Sequence, residues 1–238
     1  TDDDATPTIS IGSPSASEDS GLLTFTLTLS NASSSTITVL VDTANGTATA
    51  PGDYTALVGQ LVTFNPGDLT QTVTVTLSAD GVDEYDETFT AGLSAPTNAT
   101  LGTTPGTGTI VDTDPLESLS IDGPPVDEGA GTMTFTVTLS AANEKTTTVN
   151  WATADGTAAS GLDYTAGSGT LTFAPGETTK PVVVTILEDN IDEPAETFDI
   201  TLSGASEATI GTGTGTGTIT DNDDAPVASI NSPTVDEG

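Results

Sequence analysis

The chain has 238 residues, with 35 acids against two lysines and no arginine, a net charge of −33, and neither cysteine nor histidine. Without histidine or thiol, Ser–His–Asp and Cys–His catalysis, structural zinc and blue copper are excluded. Two lysines cannot neutralise a phosphate backbone, anionic membranes repel such a chain, and no run approaches the roughly 20 apolar residues of a membrane span. Neither nucleic acid nor membrane insertion is therefore expected. No basic start with an apolar h-region is visible, and lack of cysteine leaves the compartment open.

The chain repeats itself. Glu18, Phe25, Leu29, Gly46, Asp53 and Tyr54 recur 110 positions later as Glu128, Phe135, Leu139, Gly156, Asp163 and Tyr164. One residue is then gained in the first copy, and Phe64, Asp83, Glu84, Glu87, Phe89, Asp112 and Asp114 return at an offset of 109. Val235 to Gly238 match Val126 to Gly129, and Thr1 to Asp4 read as the tail of a preceding copy. The expected organisation is one repeat over 1–114, a second over 115–224 and the start of a third over 225–238, cut from a longer tandem array.

Within a copy, strand follows strand. Thr24–Leu29, Thr72–Leu77 and Thr134–Leu139 alternate apolar and polar residues, as half-buried antiparallel strands do. Threonine on the outer positions suits the pleat. Asn45-Gly46, Asp155-Gly156, Pro66-Gly67 and Pro175-Gly176 supply turn signals, and no stretch has a helical period. In the second copy the expected strands are about 118–122 continuing at 126–127, 132–139, 147–153, 169–173, 181–187, 197–203 and 215–220. The fold class is all-β: two tandem immunoglobulin-like antiparallel sandwiches of about seven strands each, head to tail. Trp151 falls mid-strand and is expected in the core, and Gly211–Gly217 is a strand lead-in rather than a phosphate loop.

Strand parity then gathers the acids. Glu128 precedes the second strand, Asp163 the fourth, and Glu193 and Glu196 the sixth; Glu188 and Asp189 follow the fifth, and Asp221 and Asp223 the seventh. In an antiparallel sandwich all eight fall at one pole. The first copy has Glu18, Asp53, Asp80, Glu84, Glu87, Asp112 and Asp114 there, with Ala79 standing where Glu188 stands. Like charges at such density repel unless a cation sits among them. Many hard oxygens with no nitrogen or sulfur call for calcium, which takes 6–8 oxygens in flexible geometry, more readily than for magnesium. More than one ion per complete repeat is expected, with fewer or weaker ions in the first. Asp83, Asp86, Asp127 and Asp192 are expected to stay outside the ligand set.

The run Asp189-Asn-Ile-Asp-Glu-Pro-Ala-Glu-Thr-Phe198, with Gly161-Leu-Asp-Tyr164 before it and Gly217-Thr-Ile-Thr-Asp-Asn-Asp223 after it, resembles the Calx-β family. That family is named from the regulatory loop of sodium–calcium exchangers and also occurs in an integrin subunit and in large bacterial surface proteins. The resemblance covers both copies. It implies an immunoglobulin-like sandwich holding several calcium ions at the domain end, with the carbonyls of Val82 and Ile191 joining the carboxylates named above.

A calcium-rigidified spacer in a secreted or cell-surface protein, an adhesin, follows as the leading expectation. Short proline-bearing linkers after Asp112 and Asp221 put an acidic pole at each junction, so the neighbouring repeats of the chain are the expected partners, with any host-cell or surface ligand met through other domains. Lys145 and Lys180, at the opposite pole, are expected to face the acids of the preceding copy. A calcium-sensing regulatory pair is the alternative, and a glycan- or receptor-binding module a third reading. No enzyme is expected: repeated copies with three tyrosines and one tryptophan offer no aromatic-lined cleft.

Overall fold

A computed structural model describes residues 5–232. The proposed boundaries of a preceding and a third copy, Thr1–Asp4 and Val235–Gly238, lie outside those residues. The chain divides between Pro115 and Leu116 into two compact units. The first carries β1 (Thr8–Ile11), β2 (Ser15–Ser17), β3 (Leu22–Leu29), β4 (Ile37–Asn45), β5 (Gln60–Phe64), β6 (Thr70–Thr76), β7 (Glu87–Thr97), β8 (Thr100–Leu101) and β9 (Gly106–Val111). The second carries β10 (Ser118–Ile121), β11 (Pro125–Asp127), β12 (Thr132–Leu139), β13 (Thr147–Asp155), β14 (Ser168–Phe173), β15 (Thr179–Thr185), β16 (Glu196–Ser206), β17 (Thr209–Thr212) and β18 (Thr214–Thr220). One-turn 3₁₀ segments at Glu18–Ser20 and Glu128–Ala130 join β2 to β3 and β11 to β12.

Each unit is a two-sheet sandwich. In the second, β15-β12-β10-β17 form one sheet and β11-β18-β16-β13-β14 the other; the first repeats this as β6-β3-β1-β8 and β2-β9-β7-β4-β5. Most pairs are antiparallel. The exceptions are β11 on β18 and β10 on β17, with β2 on β9 and β1 on β8 in the first unit. The opening strand of each repeat thus splits, its first half joining one sheet and its second half the other. The strand before each Pro-Gly turn (β5, β14) pairs only with β4 or β13, at the edge of the five-stranded sheet.

Alternation becomes burial. Along β3 and β12, Leu23, Phe25, Leu27, Met133, Phe135 and Val137 point inward while Thr24, Thr26 and Thr134 stay out. In each core an aromatic triad holds the sheets together. Phe89 stacks on Tyr54 at 4.1 Å and meets Phe25 edge-on at 5.8 Å; Phe198 stacks on Tyr164 at 4.2 Å and meets Phe135 at 5.6 Å. These arrangements suit the ring quadrupole. Trp151 departs from its core expectation: it is half-buried at the sheet surface, its indole lying over Gly167 and Gly169, which have no Cβ to block it.

Asn45-Gly46 and Asp155-Gly156 end the long strands β4 and β13. The glycines there are steric requirements. A Cβ on Gly156 would stand 2.4 Å from the Thr197 carbonyl oxygen, and one on Gly46 2.3 Å from that of Thr88. Gly156→Ala is therefore expected to destabilise the second repeat by about 1–3 kcal/mol through forced backbone movement. Phe198→Ala should cost about 3–5 kcal/mol by opening a cavity beneath Tyr164. The outward Thr134→Ala should stay within about 0.5 kcal/mol. Denaturant unfolding of the 238-residue chain measures all three.

Candidate metal centre

The ligand loops are held by short polar latches that the sequence repeats. Asn45 Oδ1 accepts from the Ala50 amide at 3.0 Å and from the Tyr54 hydroxyl at 2.8 Å; Asp155 Oδ1 takes the Ser160 amide at 2.9 Å and the Tyr164 hydroxyl at 2.5 Å. Burial, and then the Asp155 carboxylate that accepts its proton, push the Tyr164 hydroxyl up to about 12. The tyrosine ring is thus anchored in the core at one face and to the loop at its tip. The next residue back, Asp53 or Asp163, is delivered to the end of the sandwich. Their backbone carbonyls accept from Ser78 N at 3.0 Å and Leu187 N at 2.9 Å, tying this loop to the segment leaving β6 or β15.

That segment folds on its own acid: Asp80 Oδ1 accepts from Val82 N at 2.8 Å, and Asp189 Oδ1 from Ile191 N at 2.7 Å. The closing strand brings the last acids. Thr113 N donates to Glu18 Oε1 at 3.2 Å, and Asn222 N to Glu128 Oε1 at 3.4 Å. Asp114 N and Asp223 N turn back on Asp112 Oδ1 and Asp221 Oδ1, each at 3.3 Å.

Two carboxylate triads result in each repeat. Oxygens of Glu18, Asp112 and Asp114 lie within 4.8 Å of one another, as do those of Asp53, Glu84 and Glu87. Glu128, Asp221 and Asp223 repeat the first set, and Asp163, Glu193 and Glu196 the second. A small polar cavity joins the two triads of the second repeat, lined by Glu128, Asp163, Asp189, Glu193, Glu196 and Asp221. Its counterpart in the first is lined by Glu18, Asp53, Asp80, Glu84, Glu87 and Asp112. The Glu188 carboxylate lies against Gly129, beside Glu128, and its charge acts on Glu128. All the carboxylates picked out by strand parity therefore meet at one end of their own repeat. Ile191 is exposed and Val82 half-buried, each in the turn that its aspartate closes.

Two further acids neighbour these ligands: Asp83, which the sequence places outside the ligand set, and Asp19, which it does not single out. Asp83 is only 2% exposed, whereas its counterpart Asp192 is exposed. Asp19 accepts from Thr113 Oγ1 at 3.1 Å. The charges of both act on Asp114. Only the exchange of Gly129 for Asp19 between the copies could have flagged the second. At the far end, Lys180 on β15 bonds Glu177 in the turn before that strand at 2.6 Å, and Lys145 is buried.

The electrostatics are those of a crowded anion. Burial first, then the charges of Asp114 and Asp112, push the Glu18 carboxyl above its ordinary value, against the bond from Thr113 N. Glu128 is raised by burial and by Asp221, Asp223 and Glu188; Glu193 by burial and by Asp189, Asp163 and Asp221; Glu196 by burial and by Asp163 and Glu193. Asp114 is raised likewise. Asp223 Oδ2 is shut off from solvent and accepts no hydrogen bond, which is costly for a carboxylate oxygen unless a cation meets it. Oxygen-only donors, an unmatched buried oxygen and no basic side chain among them fit a hard divalent cation.

A carboxyl raised in the folded state holds its proton more tightly there than in the unfolded chain. The folded state then gains at low pH and loses that advantage as pH climbs through the raised values. In chelator the melting midpoint is expected to fall as pH rises from about 4 towards neutrality, and saturating calcium should flatten that fall. A midpoint in chelator that climbs steadily over the same range would show that the crowding is not felt.

Comparisons with known proteins identify the family. The family model described as the Calx-beta domain matches residues 2–116 and again 112–224. The mouse extracellular matrix organizing protein FRAS1 is 32% identical over 194 residues, covering 73% of this chain and 5% of that protein. Sodium/calcium exchanger 1 of the cat is 41% identical over 87 residues, covering 34% of this chain and 9% of the exchanger. The chain thus spans less than a tenth of the length of these curated relatives. Among solved structures, CBD12 from CALX1.2 aligns over 89% of this chain and 99% of its own, at 21% identity and a TM-score of 0.45. With the family model matched twice over nearly its whole length, the chain belongs to the Calx-beta family and consists of two tandem Calx-beta domains.

Proposed function

We propose that each repeat binds calcium at its acidic pole and that the ions stiffen the chain where one repeat passes to the next. The observation that carries this reading is the pair of carboxylate triads joined by one polar cavity, with Asp223 Oδ2 buried and unmatched beside them. The ligands would be Glu128, Asp163, Glu188, Asp189, Glu193, Glu196, Asp221 and Asp223 with the Ile191 carbonyl. In the first repeat they would be Glu18, Asp53, Asp80, Glu84, Glu87, Asp112 and Asp114 with the Val82 carbonyl. A bound ion supplies positive charge to the pole. The protein's own part is to aim oxygens from five separate segments and to keep them close.

Asp112 and Asp114 stand on the segment that leaves β9, and Asp221 and Asp223 on the one that leaves β18. Pinning those segments to the pole fixes the direction in which the chain departs, which is what a stiff array needs. The role is one of binding and not of catalysis. Residues 225–238 begin a further repeat on this reading, and the repeats are one another's partners.

The setting proposed is extracellular, in a secreted or surface-attached protein such as an adhesin. The name of FRAS1 as an extracellular matrix organizing protein supports that, and among the described residues no helix is long and apolar enough to cross a membrane. The resemblance to sodium/calcium exchangers favours a second reading, a calcium-sensing regulatory pair.

Thermal melts of the whole chain in calcium, magnesium and chelator test both. A ligand that binds only the folded state at 100 times its Kd adds about 2.7 kcal/mol per site, so calcium should raise the midpoint by many degrees where magnesium does not. Half-saturation near 10⁻⁴–10⁻³ M marks a structural spacer outside the cell; about 10⁻⁷–10⁻⁵ M with cooperativity marks a sensor. A midpoint that follows ionic strength alone would leave the acids as solvated surface.

A further inference from the structure

Besides Asp127 against Ser17 and Ala195 against Asp86, the repeat register aligns three exchanges between the two poles: Glu188 against Ala79, Gly129 against Asp19, and Asn222 against Thr113. In the second repeat these three positions touch. A Cβ on Gly129 would stand 3.0 Å from Glu188 Oε2 and 2.7 Å from Asn222 Nδ2, so a side chain there would crowd the Glu188 carboxylate and the Asn222 amide. Asn222 Nδ2 is held by Asp127 Oδ1 at 2.9 Å, which keeps it against that glycine.

In the first repeat all three change together. Alanine removes the long acid and vacates the space, an aspartate appears where the glycine was, and Thr113 Oγ1 donates to Asp19 Oδ2 at 3.1 Å. We propose that Asp19 supplies to the first repeat's calcium site the carboxylate that Glu188 supplies to the second, delivered from the 3₁₀ turn instead of from the segment after β15. This inference rests on the calcium reading above. It restores the first repeat's carboxylates from seven to eight, so Ala79 does not by itself make that repeat the poorer one.

Two further features agree with the relocation. Glu18, beside Asp19 on the same turn, is buried at the centre of the Glu18–Asp112–Asp114 triad, so the turn already faces the site. The charge of Asp19 also reaches Asp114 of that triad, as the charge of Glu188 reaches Glu128. Asp83, buried where Asp192 is exposed, adds negative charge on that side as well.

The test is calorimetric calcium titration of the 238-residue chain as four proteins: unaltered, Asp19→Gly, Asp19→Gly with Ala79→Glu, and Glu144→Gln as a surface control. Asp19→Gly alone should lose one calcium or weaken one class about tenfold or more, the lower end of what groups supporting a metal site contribute. Adding Ala79→Glu rebuilds the second repeat's arrangement and should restore the count and affinity, which a merely structural role for Asp19 would not do. Titration of Asp19→Gly like Glu144→Gln, or failure of the double variant to recover, overturns the assignment while leaving the calcium reading intact. An unaltered chain that takes up no calcium overturns both.

Discussion

Repulsion among carboxylates at one end of each sandwich is the constraint around which the rest is arranged. Seven or eight acids from five segments converge there, and neither lysine of the chain is among them. Such a surface is not needed to build a sandwich, and burial together with mutual charge raises several of its carboxyls. Like charges at these separations oppose folding even under the strong screening of a solvent-exposed end. The hydrophobic interior supplies the order that the pole would otherwise break. Phe25, Phe89 and Tyr54 in one repeat, and Phe135, Phe198 and Tyr164 in the other, are almost wholly buried in a close-packed cluster.

Tyr54 and Tyr164 connect the two regimes. Each ring belongs to the core, each hydroxyl to the loop that carries Asp53 or Asp163. Moving that loop away from the pole means either breaking a hydrogen bond to a residue that ends a long strand or unstacking an aromatic pair. The ligand oxygens are therefore preorganised by apolar packing, and less ordering cost falls on the ion when it binds. The turn at Asp80–Val82 or Asp189–Ile191 closes on its own aspartate through an Asx bond, which holds that carboxylate at the pole.

Much of this was legible in the sequence because period-two alternation has a single geometric meaning. The runs around Thr24–Leu29 and Thr134–Leu139 become β3 and β12, and once strand directions alternate, loops at one end can be named without coordinates. What could not be read was anything decided by lateral neighbours. β14 has the same alternation whichever sheet it joins, and its pairing with β13 comes from the path of the preceding loop. Trp151 falls mid-strand, as a core residue would, yet Gly169 on β14 and Gly167 just before that strand leave room for the indole at the surface. Asp83 and Asp192 share a motif position yet differ in burial, as Glu188 and Ala79 share one yet differ in charge.

That last contrast shows how tandem copies diverge. A carboxylate lost from one segment leaves both a gap and a local shortage of charge for a cation, and a neighbouring segment with a small residue facing the gap can answer both with a single acid. Gly129 and Ala79 are the two small residues, one in each repeat: Gly129 stands against Glu188, and Ala79 belongs to the repeat that carries Asp19. Having both acids at once would press two carboxylates into one space; having neither would leave it apolar and the pole one ligand short. Pairing one acid with one small residue is the arrangement that satisfies steric and electrostatic demands together, and the two repeats reach it from opposite sides.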